Sequence, residues 1–226
     1  ELVRNVFCLQ ENLLYQEVDS IDRPAAYSED DIVEIFIRAN AGGTKLDKSD
    51  LLFSLLVSSW DDANENMTTL LEDLNTDGYG FGRDFILKAC LVLFDKGASY
   101  EVSKFRDGDT KQKIEDNWIS IANAVKDVKD FIRGKTFIQS DKVLTSYLTL
   151  IPLIYFRYHY PQKWLHGKGR AEYLVRTMLV GAFSGNPDSL IDKAVKKIKD
   201  DGDFIKQNIY GVIRDDNRSL ELTKEN

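Results

Sequence analysis

The sequence predicts a mainly α protein, a helical bundle with one short strand near its N-terminus, and three observations carry that prediction. Apolar residues recur at three- and four-residue intervals from Ile32 to Ile198, the spacing that lines one face of a helix. A glycine pair at 42–43, a glycine string at 78–82 and an Asn-Pro step at 186–187 punctuate these runs, as signals for helices to stop and start. Strand-like mixing of apolar and polar residues is confined to 12–18, NLLYQEV. With 226 residues, 43% of them hydrophobic, the chain can bury one large core or two smaller ones.

In chain order, residues 2–10 read as a short helix or strand and 12–18 as a strand, before turn signals from Asp19 to Pro24. Ser28, with Asp31 three residues later, opens a helix. The hydroxyl satisfies an orphan backbone N–H and the carboxylate faces the positive helix end. Ile32, Ile35, Phe36 and Ala39 share its inner face. Gly42 and Gly43 end it, since glycine takes the left-handed conformation of a C-cap without steric cost. Asp47 and Asp50 begin a second helix whose Leu51, Leu52, Leu55 and Leu56 form an apolar stripe ending near Trp60. The pair is an αα-hairpin with a glycine elbow.

Met67, Leu70, Leu71 and Leu74 mark the next helix, which runs into a loop at Gly78, Gly80 and Gly82. Phe85 to Phe94 is apolar on nearly every side and reads as a central helix. Lys111 to Arg133 reads as one long amphipathic helix, with Ile114, Trp118, Ile121, Ala122, Val125, Val128 and Phe131 or Ile132 inward and Gly134 as its stop. A helix from Leu144 to His159 is expected to kink at Pro152, whose ring removes a backbone bond. Another spans Arg170 to Phe183, and Asn186 and Pro187 start the last as N-cap and N1. The polar tail after Asp215 is expected to fray.

Charge and composition exclude several function classes. A formal charge of −7 argues against a surface that grips nucleic acid throughout. The clearest basic patch, Lys193, Lys196, Lys197 and Lys199, is surrounded by Asp192, Asp200 and Asp201, the pattern of a solvated helix face. The longest apolar run, Val143 to Phe156, contains Thr145, Ser146, Thr149 and Pro152 and falls short of the ~20 residues that span a bilayer, so no membrane partner is expected. Cys8 and Cys90 have no metal or redox spacing and read as reduced core thiols of a cytoplasmic protein. The chain begins at Glu1 with no basic-then-apolar run that would read as a targeting segment, and the true start is expected to lie upstream.

His159 and His166 belong to no metal motif, so no metal ligand and no catalytic residue is assigned. The glycine string lacks the strand and the Lys-Ser/Thr pair of a phosphate-binding loop and reads as a flexible interhelical connection. Tyr155, Phe156, Tyr158, His159, Tyr160 and Trp164, with Arg157, continue the buried stripe of Leu148 and Ile151. A base-stacking surface is the alternative, with Tyr158 or Trp164 left exposed.

The residues that point to binding chemistry are Arg38, Asn40, Gly42, Gly43, Thr44 and Lys45. Arg38 offers planar donors suited to phosphate, the glycines let backbone N–H groups approach an anion, and Lys45 adds a mobile charge. The same residues also fit a purely structural turn, with Asn40 capping the first helix and Arg38 paired to a surface carboxylate.

Ile35, Phe36, Arg38, Asn40, Gly42, Gly43, Leu46, Asp50 and Leu51 together follow the form I-F-x-R-x-N-x-G-G-x-x-L-x-x-x-D-L. This segment resembles the ParB/sulfiredoxin-like domain with helical extension found in GmrSD-type, modification-dependent restriction systems. Residues 170–198 are similar, less specifically, to the helical region that follows in these proteins, through Gly181, Phe183, Ser184, Gly185 and Asp188. The family's Asp-Gly-Gln-Gln-Arg run is absent. The resemblance implies that 1–60 is the C-terminal part of a ParB-like α+β domain, its strand a remnant of the family's sheet, followed by an all-helical domain at 61–214 and a tail at 215–226. It implies an intact protein that uses a nucleoside triphosphate, with magnesium, to restrict foreign DNA, cut by an HNH nuclease domain or partner. This chain alone would then be inactive, with the elbow as half of a phosphate site. Two other readings stand beside it: a helical interaction module that docks a nuclease, and a local nucleic-acid binder.

Overall fold

The segments richest in apolar residues form the innermost helices. In the computed structural model, residues 48–221 are described, apart from 102, 105–107 and 167, together with residue 35. The expected strand at 12–18, Cys8 and the glycine elbow lie outside the described residues. The chain divides into two compact units, Glu1–Lys45 and Leu46–Asn226; apart from residue 35, the described residues belong to the second. That unit contains α1 (Lys48–Val57), α2 (Ala63–Leu74), α3 (Arg83–Leu93), α4 (Gly108–Asp116), α5 (Trp118–Lys135), a 3-10 turn (Tyr147–Leu150), α6 (Ile151–His159), α7 (Pro161–Trp164), α8 (Arg170–Leu179), α9 (Asp188–Asp201) and α10 (Lys206–Asp215). It is mainly helical, with no strand among the described residues.

Two helices are buried on nearly every side. In α3 every residue from Phe85 to Leu93 is buried, and in α6 every residue from Ile151 to Phe156, as expected of helices without a polar face. Helix α6 packs against α3, α5, α7 and α9 and is the hub of the bundle. Around it the amphipathic helices turn one stripe inward. Leu190, Ile191, Ala194, Val195 and Ile198 of α9 are buried, as are Tyr173, Leu174, Thr177 and Met178 of α8. Full burial of one such aliphatic or aromatic side chain contributes roughly 1.5–3 kcal/mol. Helix α1 packs on α2 and α3 and buries Leu52, Phe53 and Leu56. It therefore belongs to the same compact unit as the rest of the bundle.

Several helix boundaries differ from the sequence expectation, each for a local reason. The single helix expected over 111–133 is two, α4 and α5, broken at Asn117, whose φ of −110° and ψ of 9° leave the helical region. The Asn117 side chain donates to Lys113 O at 2.9 Å, the kind of local bond by which Asn competes with helix geometry. The break lets Trp118 bury against Trp60, edge to face at 5.3 Å between ring centres. Gly134 does not end α5; Thr136 does, with its backbone N–H returning to Ile132 O.

Pro152 does not lie inside a single helix from 144 to 159. It sits in the first turn of α6, where the 3-10 turn gives way to the α-helix, so its missing N–H interrupts no i→i−4 bond within α6. Pro187 is the N-cap of α9 rather than its first residue, and α8 ends at Leu179, short of Phe183. The described part of the tail is held. Arg218 donates to Ala182 O, Ser184 O and Asn186 O at 2.7, 3.0 and 3.4 Å, and Leu220 is buried. The arginine, which composition alone counts as a polar tail residue, pins this segment through α8–α9 loop carbonyls.

Candidate binding cleft

Buried cations organise this bundle, and one of them forms the floor of a cleft. Helix α8 begins at Arg170 after Gly169, whose φ of +85° is left-handed. A Cβ there would also lie 2.9 Å from the Lys206 side chain, so the turn needs glycine on two counts. The turn sends Arg170 inward to only 5% exposure. Its guanidinium lies 4.4 Å from the Trp164 ring centre, 5.4 Å from Phe131 and 6.0 Å from Phe156. It also donates to Trp164 O. Burial lowers the Arg170 pKa, yet guanidinium remains protonated across the usable pH range.

The cleft above this floor has a volume of about 630 Å³ and runs between the C-terminal half of α5 and the start of α8, within the size range of small-molecule sites. Arg157 of α6 closes one end by donating Nε and Nη2 to Asp127 Oδ2 of α5, each at 2.6 Å. Asp130 and Lys135 stand exposed at the mouth beside Leu165. The arrangement offers an aromatic wall, fixed positive charge and rim carboxylates, which suits binding; it brings no nucleophile and base together among the described residues.

Two further buried cations tie loops to helices. Lys88 of α3 donates to Ala98 O at 2.5 Å and to Asp188 Oδ1 at the start of α9 at 2.7 Å, and lies 4.4 Å from the Tyr100 ring centre. Beside it Asp192 accepts from Ala98 N at 2.8 Å, and burial raises its pKa. Lys129 of α5 donates to Asp73 O and Thr76 Oγ1 at the end of α2, at 2.9 and 3.1 Å, where lysine complements a helix C-terminus. Burial pulls the neighbouring Asp77 carboxyl upward, but Lys129 and Arg133 outweigh it and hold the group below its usual value.

The predicted site residues Arg38, Asn40, Gly42, Gly43, Thr44 and Lys45 lie outside the described residues. The described end of their motif is structural. Asp50 in α1 pairs with Arg83 of α3, which also lies 4.5 Å from the Phe53 ring centre. The glycine string is an interhelical loop, and it is tied down rather than free. Asn75 donates to Phe81 O and accepts from Phe81 N at 3.0 and 2.7 Å, Tyr79 donates to Ile138 O at 2.8 Å, and Gly80 N donates to the Tyr147 hydroxyl at 2.6 Å.

In the aromatic run Tyr155, Phe156 and Trp164 are buried, Tyr158 and Tyr160 are half-exposed and His159 is exposed, so its inward members are core. His159 is held at Leu93 O, 2.9 Å away, and burial lowers its pKa. The lysine patch is largely neutralised in place: Lys193 pairs with Asp216, Lys197 with Asp201 and Lys199 with Asp95. Among the described residues no three His, Cys, Asp or Glu gather closely enough to hold a metal. No described helix is long and apolar enough to cross a membrane. No family model matches the chain, and no curated protein matches it.

Sequence reading missed Asp127, Asp130 and Arg170 because the cleft draws on four separate elements. One signal was present. Arg170, Lys88 and Lys129 each occupy a position in the apolar stripe of their helix, where a cation needs a compensating partner.

Proposed function

We propose that this chain is part of a GmrSD-like system that uses a nucleoside triphosphate to restrict foreign DNA in the cytoplasm. In it the chain contributes a helical scaffold and half of a phosphate-binding site, and is inactive alone. The observation that carries the proposal is the segment from Ile35 to Leu51, where Arg38, Asn40, Gly42, Gly43, Thr44 and Lys45 combine a planar cation, close-approach glycines and a second charge. The Asp50–Arg83 pair supports the scaffold role, because it fastens the helix that follows the elbow to α3. Magnesium with the nucleotide, and an HNH domain or partner to cut DNA, complete the proposed system.

A second reading, a helical module that docks a nuclease, draws on Ile119 and Leu165, apolar side chains 77% and 72% exposed. Direct nucleic-acid binding by the lysine patch has less support, since Lys193, Lys197 and Lys199 already hold carboxylates.

Calorimetric titration with nucleoside triphosphate and magnesium tests the first reading, on the chain and on any longer polypeptide its gene encodes. Binding by the longer form that Arg38→Ala abolishes is the expected result. Binding indifferent to Arg38, or none by either form, would make the elbow a structural turn and favour the docking module.

A further inference from the structure

The arginines of the described bundle divide sharply by what they hold. Arg83, Arg133, Arg157 and Arg218 each pair with a carboxylate, and Arg170 is enclosed by rings. Arg176 of α8 and Arg214 of α10 are the two whose guanidinium groups meet no carboxylate and no carbonyl among the described residues. They line the same recess, of about 590 Å³, together with Ser219, Leu220 and Glu221.

The recess is built rather than incidental, because its third wall is the pinned tail. Arg218 anchors that segment to the carbonyls of Ala182, Ser184 and Asn186, and buried Leu220 holds it from the other side. Ser219 Oγ accepts from Glu221 N at 3.0 Å, which leaves its own proton to donate outward. Two planar cations lining one recess from different helices, with a hydroxyl donor beside them, suit the oxygens of a tetrahedral oxyanion, which arginine binds through paired N–H groups. Glu221 is the one carboxylate among its described lining residues, and its like charge opposes a bound anion.

We propose that the Arg176–Arg214–Ser219 recess binds a phosphoryl group, as a free phosphate ester or as a backbone phosphate of a nucleic-acid strand. Its test does not involve Arg38, so its failure and that of the elbow reading are distinguishable.

The test uses the full chain with three probes: inorganic phosphate and AMP by calorimetry, and a labelled single-stranded DNA oligonucleotide by fluorescence anisotropy at two salt concentrations. Arg176→Gln/Arg214→Gln is expected to weaken every probe that binds by at least tenfold, each single variant less. Glu221→Gln is expected to tighten binding by relieving like-charge repulsion. Lys196→Gln, which removes an exposed cation outside the recess, is expected to change nothing. Arg176→Lys/Arg214→Lys keeps the charge without the planar fork and should fall between wild type and the glutamine pair, which guards against a folding defect in the latter. AMP binding without a gain for the oligonucleotide assigns a small ester; tighter, salt-sensitive oligonucleotide binding assigns a strand. No binding of any probe at millimolar concentration overturns the proposal. So does binding that survives the double glutamine variant, or that Lys196→Gln weakens equally.

Discussion

Replacing Lys88 by methionine would keep the side chain's packing volume and remove its charge, so it isolates what the buried ammonium contributes. Lys88 is 6% exposed and holds two acceptors, Ala98 O at 2.5 Å and Asp188 Oδ1 at 2.7 Å. Losing the donor leaves the carbonyl unpartnered, at a cost of about 1–3 kcal/mol. Removing one member of a fully buried ion pair costs about 3–5 kcal/mol, but the Asp188 side chain is 24% exposed and regains part of its hydration. It also stands at the start of α9, where the helix dipole stabilises an anion. The expected loss is therefore ~2–3 kcal/mol, a fall in Tm of roughly 4–12 °C for a chain of this size. Asp188→Asn should cost less, because Lys88 keeps Ala98 O. The Lys88→Met/Asp188→Asn pair should be less than additive by about 1 kcal/mol, as for groups in direct contact. Thermal unfolding of the four proteins, followed by far-UV circular dichroism at neutral pH, measures all of this. A Lys88→Met midpoint indistinguishable from wild type, or strictly additive effects, would refute the view of Lys88 as a tie between α3, its following loop and α9.

Three other outcomes follow from the fold. Gly134 and Gly211 lie in helices with open space where a Cβ would stand, so alanine at either should stabilise by ~0.5–1 kcal/mol. Gly202 ends α9 in the left-handed region at φ +60°, and Gly202→Ala should destabilise by about 1 kcal/mol; one set of urea melts reads all three. Arg218→Ala should release the tail from three carbonyls, seen as faster proteolysis within 216–221 with little change in helix content. Burial pushes the Cys90 thiol from 9.0 up to about 12 and the Tyr155 phenol from 10.0 up to about 12. The unfolded chain then loses these protons first, so stability should fall from about pH 9 upward, and the native Cys90 peptide should resist iodoacetamide while the urea-unfolded one reacts.

What was legible in the sequence was periodicity. The stripes of α2, α8 and α9 and the all-apolar run of α3 were readable because burial of one face imposes a 3.6-residue repeat whatever the neighbours are. Pro152 and Asn117 were not, because each is decided by its turn of helix. Proline in a first turn costs nothing and in a middle turn costs a kink, and an Asn side chain breaks a helix only where packing rewards the bend, here through Trp118 on Trp60. The cleft at Arg170 and the recess at Arg176 and Arg214 join residues far apart in the chain. Only the helix packing brings them together. The elbow remains a sequence-level proposal, its residues outside the described ones.

The most direct measurement is nucleoside triphosphate hydrolysis, with and without DNA, by this chain and by any longer polypeptide its gene encodes. If the bundle is a scaffold and the elbow is half of a phosphate site, the longer form hydrolyses the nucleotide, Arg38→Ala abolishes that activity, and the 226-residue chain alone is silent. Hydrolysis by the 226-residue chain itself, or turnover in the longer form that is indifferent to Arg38, would contradict it.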